Sequence, residues 1–240
     1  RRHTRSLCDW SSDVCSSDLL ASWAERHPDD VLVLERLAGD HEAAGRWSEA
    51  AEVWRKLVMR FEGEARTGAA LRLADACDRT GSPQDARDGL EHAYQSAREN
   101  ATLRQRLRAV AAAAGASQDV AALWMDEAEF AGDDALRFEA FKRAAEAWLE
   151  PAGDPTQAVP LLQRALEQRP GDHDTTVLLS DALTMTGRLE DASRLLEDAI
   201  AGHKSRRSKE LAILQQRMAH VAFAANDHNV EMLWLSARSE

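Results

Sequence analysis

Apolar positions along the chain fall into paired clusters on either side of a small residue, and the pair recurs at a nearly constant interval. Aligning Gly45, Gly81, Gly115, Gly153 and Gly187 gives spacings of 36, 34, 38 and 34 residues, and Ala225 continues the series 38 later. Five residues after each anchor stands a small or β-branched apolar residue: Ala50, Ala86, Val120, Ala158, Ala192 and Val230. Nine after it stands a large one: Trp54, Leu90, Trp124, Leu162, Leu196 and Trp234. Twelve after come Leu57, Ala93, Glu127, Ala165, Ala199 and Ala237, and eight before stand Leu37, Leu73, Leu107, Ala145, Leu179 and Arg217. Steps of three to five residues on each side of the anchor place these side chains on one face of each of two helices. Each unit therefore reads as a helix, a tight turn and a second helix.

The turns carry their own signals. Glycine suits a helix end because the terminating residue often adopts the left-handed conformation, where a side chain clashes. Ser82 before Pro83 and Asp154 before Pro155 read as a capping side chain followed by the residue best tolerated in the first turn, and Gln157 completes a capping-box pattern with Asp154. Breaks between units fall at Glu62-Gly63, Gly132-Asp133, Pro170-Gly171-Asp172 and Gly202-His203.

The pattern resembles the tetratricopeptide repeat family, whose unit reads W-x2-L-G-x2-Y, then A-x3-F, then proline. The clearest copies are Leu34-x2-Leu37-Ala38 with Ala50-x3-Trp54, Ala70-x2-Leu73-Ala74 with Ala86-x3-Leu90, and Thr176-x2-Leu179-Ser180 with Ala192-x3-Leu196. Pro28 and Pro170 stand near unit ends. The resemblance implies an all-α fold, an α-solenoid of stacked helix-turn-helix repeats forming a right-handed superhelix. It implies a partial repeat at 20–30 and repeats at about 31–64, 67–100, 101–134, 135–172, 173–206 and 209–237. The small residue at the closest helix contact, Ala38, Ala74 or Ser180, is replaced in this register by Arg108, Glu146 and Met218, so those units are expected to be tilted or to belong to a looser relative of the family.

Residues 1–19 resemble something else: one reading frame of a translated short-read sequencing adapter, codon for codon over residues 9–19. They are set aside from the fold and expected to be disordered. Residues 238–240 fit the start of the complementary strand, which would make 20–237 an interior fragment whose cut solenoid ends invite self-association. Setting 1–19 aside leaves Cys77 as the one remaining cysteine, so neither disulfides nor a cysteine metal site is expected. The net charge of −11 is unchanged, because the segment holds three arginines and three aspartates, and an acidic chain disfavours nucleic acid as partner. No run approaches the roughly 20 apolar residues of a membrane span, and the compartment is left at the cytoplasmic default.

Candidate chemistry is sparse. Trp54, Trp124 and Trp234 share a repeat position with leucines and read as core, as do Trp23 and Trp148. His27, His41, His92, His173, His203, His220 and His228 are scattered without metal-ligand spacing, and no phosphate-cradle or nucleophile-elbow motif is present, so neither cofactor, metal nor catalytic residue is expected. The family resemblance implies that first helices line a concave groove, which would carry Glu35, Glu42, Asp75, Asp78, Arg143, Glu150 and Asp181. Such a groove, acidic at its N-terminal end, would accept a basic or amphipathic segment of another protein. The one dense basic cluster, with Lys204, Arg206, Arg207 and Lys209, is a candidate loop for an anionic partner. The function expected is a non-enzymatic protein-interaction scaffold. The alternative is a regulatory or targeting repeat segment of a larger enzyme or signalling protein.

Overall fold

The computed structural model describes residues 13–150, 153–203 and 208–225, with side chains from residue 19 onward. Among these the structure is all α, of the solenoid type, with twelve helices and no strand. They are α1 (Asp13–Arg26), α2 (Val31–Ala43), α3 (Trp47–Arg60), α4 (Gly63–Thr80), α5 (Pro83–Tyr94), α6 (Ala101–Ala113), α7 (Ser117–Glu129), α8 (Asp134–Leu149), α9 (Pro155–Gln168), α10 (His173–Met185), α11 (Leu189–Ala201) and α12 (Lys209–Ala224). α1 takes in residues 13–19 of the adapter-like segment as its opening turns. Residues 1–12, the cluster residues Lys204, Arg206 and Arg207, and the positions Val230, Trp234 and Ala237 lie outside the described residues.

The chain forms two compact units, residues 1–110 and 111–240, divided within α6. In the first, α1 to α5 pack each on the next, and α3 also touches α5. Leu57, Leu73 and Leu90 are fully buried there, with Ala38, Ala50, Ala74 and Ala86 letting the backbones approach. Gly89 on α5 is part of this fit: a Cβ at 89 would fall inside contact distance of the Leu73 side chain. In the second unit, α7 to α12 pack serially, and the first helices α8, α10 and α12 also touch directly. Ala144, Ala158, Leu162, Leu179, Ala192, Leu196 and Met218 belong to one buried cluster, against which Trp124 and Trp148 pack half-buried. Trp54 is buried as expected and donates its indole N–H to Glu42 Oε1 at 2.7 Å. Trp23 is not core. It is 46% exposed, tilts against His27 and donates to Asp30 at 3.2 Å, because α1 has only α2 to pack on among the described residues.

Gly45, Gly81, Gly115 and Gly187 all have φ near +70°, in the left-handed turn that the spacing called for. Gly153 is needed for another reason. Its N–H donates to the Glu150 carbonyl at 2.7 Å, and a side chain would collide with the Trp148 carbonyl. Ser82 does not cap α5: its hydroxyl accepts from Thr80 instead, and the turn is closed by the Gly81 and Ser82 N–H groups on the Cys77 carbonyl. Asp154 does cap α9, accepting from the Thr156 N–H at 2.9 Å. Its carboxyl is held below its ordinary range by the Thr156 hydroxyl and N–H and by the Gln157 side chain.

Asp172 caps α10, accepting the Thr175 N–H at 3.0 Å and the Thr175 hydroxyl at 2.7 Å. Burial pushes its pKa upward, but the Thr175 bonds and the nearby cations of Lys142 and Arg169 outweigh burial and leave it lowered. A lowered folded pKa means stability that is present above the unfolded value and lost as pH falls through the folded one. Asp172→Ala should therefore cost about 1 kcal/mol at neutral pH. Urea titrations of both proteins should converge once the pH drops below the carboxylate range; a gap that persisted there would assign the loss to packing.

The alignment on small anchors misplaces two units by one residue. On α4 the inner pairs are Ala69-Ala70, Leu73-Ala74 and Ala76-Cys77, and on α10 Thr175-Thr176, Leu179-Ser180 and Ala182-Leu183. On α8 the central pair is Ala144-Ala145, and on α12 it is Met218-Ala219. Glu146 and Arg217 are thus turned out of the packing slots, and among the compared positions only Arg108 replaces the small residue. For α8 the cause is connection length: Gly153 lies three residues beyond the Glu150 cap, whereas Gly45 and Gly187 lie one residue beyond theirs.

Candidate functional site

In the register fixed by packing, the residue before the apolar slot is Arg36, Arg72, Arg106, Arg143, Leu178 and Arg217 in successive first helices. Five arginines in six stand at one repeat position. Three of them bridge to the preceding first helix. Arg72 on α4 meets Glu42 on α2 at 2.7 Å, Arg106 on α6 meets Asp75 at 3.2 Å and Asp78 on α4, and Arg217 on α12 meets Asp181 on α10 at 3.0 Å. A further bridge of opposite polarity joins Lys142 on α8 to Asp174 on α10 at 3.7 Å. Such rungs, open to solvent, contribute up to about 1 kcal/mol each and chiefly fix register. The expected groove acids Glu42, Asp75 and Asp78 do sit together, in a cleft of about 410 Å³ with Trp47, Arg72 and Arg79. They are matched there by cations, and the Arg79 guanidinium lies 5.5 Å from the Trp47 ring centroid. Glu35 is exposed on α2, apart from these pairs.

The ladder breaks at α10. Leu178 occupies the arginine position, so Glu146 on α8 has no rung to α10 and instead takes Arg143 of its own helix at 3.0 Å, Arg143 also reaching Glu139 at 2.9 Å. Where the rung is missing, a cleft of about 520 Å³ opens between α8, α10 and α12. Val177, Leu178 and Ile213 make its apolar floor, and Ile213 is 41% exposed. Lys142, Glu146, Asp174 and Arg217 stand round it. Two of its lining residues, His173 and Arg217, each hold a ring or side-chain nitrogen, Nε2 and Nε, that is buried without a hydrogen-bond partner among the described residues. Glu146 also lines a second cleft of about 700 Å³ between α7 and α8, with Trp124, Val120, Ala116, Arg143 and Glu150. Of the expected groove residues, Arg143 and Glu150 meet here, and Glu150 is in no ion pair among the described residues. Asp181 lies beside the first cleft, where burial raises its pKa against the opposing pull of Arg217 and His220. Lys209, the described member of the basic cluster, is exposed at the start of α12.

Sequence reading missed the arginine position and the leucine that interrupts it. The signal was present as arginines one residue before each first-helix apolar slot, but alignment on Gly153 and Ala225 shifted Arg143 and Arg217 out of column. Elsewhere the chemistry is quiet. Burial, with Asp85 nearby, pushes the Cys77 thiol up to about 11, so it is protonated and a poor nucleophile at neutral pH. Among the described residues no group of three or more His, Cys, Asp or Glu side chains could hold a metal ion, and no helix is long and apolar enough to cross a membrane.

None of the curated proteins matches the chain. Among solved structures, similar ones include MamA from Desulfovibrio magneticus RS-1 (TM-score 0.48, 16% identity, 71% of this chain and 91% of that one). Another is a putative kinesin light chain of Podospora anserina with nearly identical TPR-like repeats (0.40, 19%, 89% and 95%). A third is PilF of Pseudomonas aeruginosa (0.41, 14%, 85% and 88%). A tetratricopeptide repeat family model matches residues 152–218, which run from the turn before α9 through α10 and α11 into α12. Over that span, with its glycine turns, paired helices and small-residue contacts, the chain matches the tetratricopeptide repeat.

Proposed function

We propose that this chain is a non-catalytic scaffold that captures a peptide segment of another protein on the first-helix face of its second unit. One observation carries the reading: the arginine rung that ties α2 to α4, α4 to α6 and α10 to α12 is absent between α8 and α10, where Leu178 holds the arginine position, and a cleft with an apolar floor opens there. A site kept for its stability would complete the rung, whereas an open apolar cleft rimmed by polar groups is what peptide capture needs.

The proposal has a direct test. Leu178→Arg restores the repeat position, offers Glu146 a cross-helix partner and fills the cleft. Random peptides displayed on phage would be selected on the native protein and then rescreened on the variant. Selected peptides should lose at least tenfold in affinity on Leu178→Arg while the melting temperature stays the same or rises. Peptides that bind both proteins equally would place the interaction elsewhere and remove this reading.

A further inference from the structure

Resting on the peptide-capture reading, we infer that the segment taken by this face is extended, with a basic side chain seated beside Glu150 and a large apolar side chain on Leu178 and Ile213, its backbone carbonyl accepting from Arg217 Nε–H. The two clefts divide the recognition. In the α8–α10–α12 cleft every charge has a partner: Lys142 with Asp174, Arg143 with Glu146, and Arg217 with Asp181. The floor between them is apolar, so a charged side chain would be desolvated there without compensation, and an aliphatic or aromatic one fits. The α7–α8 cleft is different. Its lining holds one cation, Arg143, already shared between Glu139 and Glu146, and the additional carboxylate of Glu150 stands open. Trp124, Val120 and Ala116 supply an apolar wall along which the stem of a lysine or arginine can lie while its charge meets the carboxylates.

The orphaned atoms decide the conformation. Arg217 gives its terminal nitrogen to Asp181, but its Nε–H is buried and unmatched, and leaving such a donor unsatisfied is costly. A helix spends its carbonyls on its own N–H groups, whereas an extended segment leaves them free to accept. His173 also lines the cleft and holds a second unmatched nitrogen, Nε2, open to a further backbone contact as donor or acceptor according to its tautomer. Because Glu146 lines both clefts, one strand can pass from one to the other, so the partner carries a basic residue near a bulky apolar one.

The probe is a fluorescein-labelled peptide of repeated Lys-Leu-Pro triplets, which presents both side chains in every register and cannot form a helix. It should bind by fluorescence anisotropy more tightly than a Ser-Leu-Pro analogue and more tightly than a helical Lys-Leu-Ala-Ala peptide. Glu150→Gln should weaken it about threefold. Arg217→Lys keeps the charge but lacks the Nε donor, and should weaken it about tenfold. In the native protein, labelled with nitrogen-15, the Arg217 Nε–H resonance should shift on titration, a readout that does not depend on the variant folding. Equal or tighter binding of the helical peptide, no binding of the Lys-Leu-Pro probe, or an unmoved Arg217 resonance would overturn the inference. Phage-selected peptides still sensitive to Leu178→Arg would show that the capture reading had survived it.

Discussion

Phe138→Ala should cost about 3–5 kcal/mol, the range for removing a fully buried aromatic side chain and leaving a cavity. Phe138 is 2% exposed and is the largest of the fully buried side chains. It also carries the Arg169 guanidinium 4.3 Å from its ring centroid, so the substitution removes that cation–π contact at the end of α9 as well as emptying the space under α8. Interactions in a repeat array are local, and the damage should stay near its source. Hydrogen exchange should therefore show fast opening of α8 and α9 while the slow amides of α4 in the other unit keep their protection. Urea unfolding followed by circular dichroism gives the magnitude. A loss below about 1 kcal/mol would mean that the surroundings collapse onto the site, which the packing of cores makes costly.

Leu73→Ala should destabilise the first unit by a value in the upper part of the usual 2–5 kcal/mol, because the residues around it are too small to close the gap. Ala70 and Ala74 flank it on its own helix and are fully buried, and Gly89 faces it from α5. The sharper expectation concerns the pair. In the native background Gly89→Ala forces a methyl into the Leu73 side chain and costs about 1–3 kcal/mol in overpacking, against about 1 kcal/mol gained in helix propensity. In the Leu73→Ala background the clash is gone and only the gain remains. Gly89→Ala should then change sign and become stabilising. A double-mutant cycle measures this directly, and additive effects would show that Leu73 and Gly89 do not share the space.

The all-α fold and its helix pairs were legible because the two signals that specify them are local and redundant. Gly45, Gly81, Gly115 and Gly187 mark the turns by conformational need, and Leu57, Leu73, Leu90, Leu162 and Leu196 mark the buried faces by spacing. The one-residue displacement of α8 and α12 was not legible, since a longer connection moves Gly153 relative to the helix without changing the composition of either. Only burial reveals that Ala144-Ala145 and Met218-Ala219 are the inner pairs. The candidate face suffered most from this. Its acids could be named from sequence, but the cations that neutralise Glu42, Asp75, Asp78 and Asp181 come from the next repeat, roughly one repeat length away, and reading each unit by itself hides them.

That head-to-tail pairing bears on how such an array can grow. The α4–α5 repeat presents Arg72 to the first helix of the preceding repeat and Asp75 and Asp78 to the first helix of the next. A second copy inserted directly behind the first would set its own Arg72 against the Asp75 and Asp78 of the original, and its own acids against Arg106. Tandem duplication of this unit is thus electrostatically self-templating: each new copy arrives with both halves of the junctions it creates. The α10 repeat lacks this property, because Leu178 would leave Asp181 of a preceding copy without a cation. Gene duplication can lengthen the array smoothly at the α4–α5 repeat but not at the α10–α11 repeat.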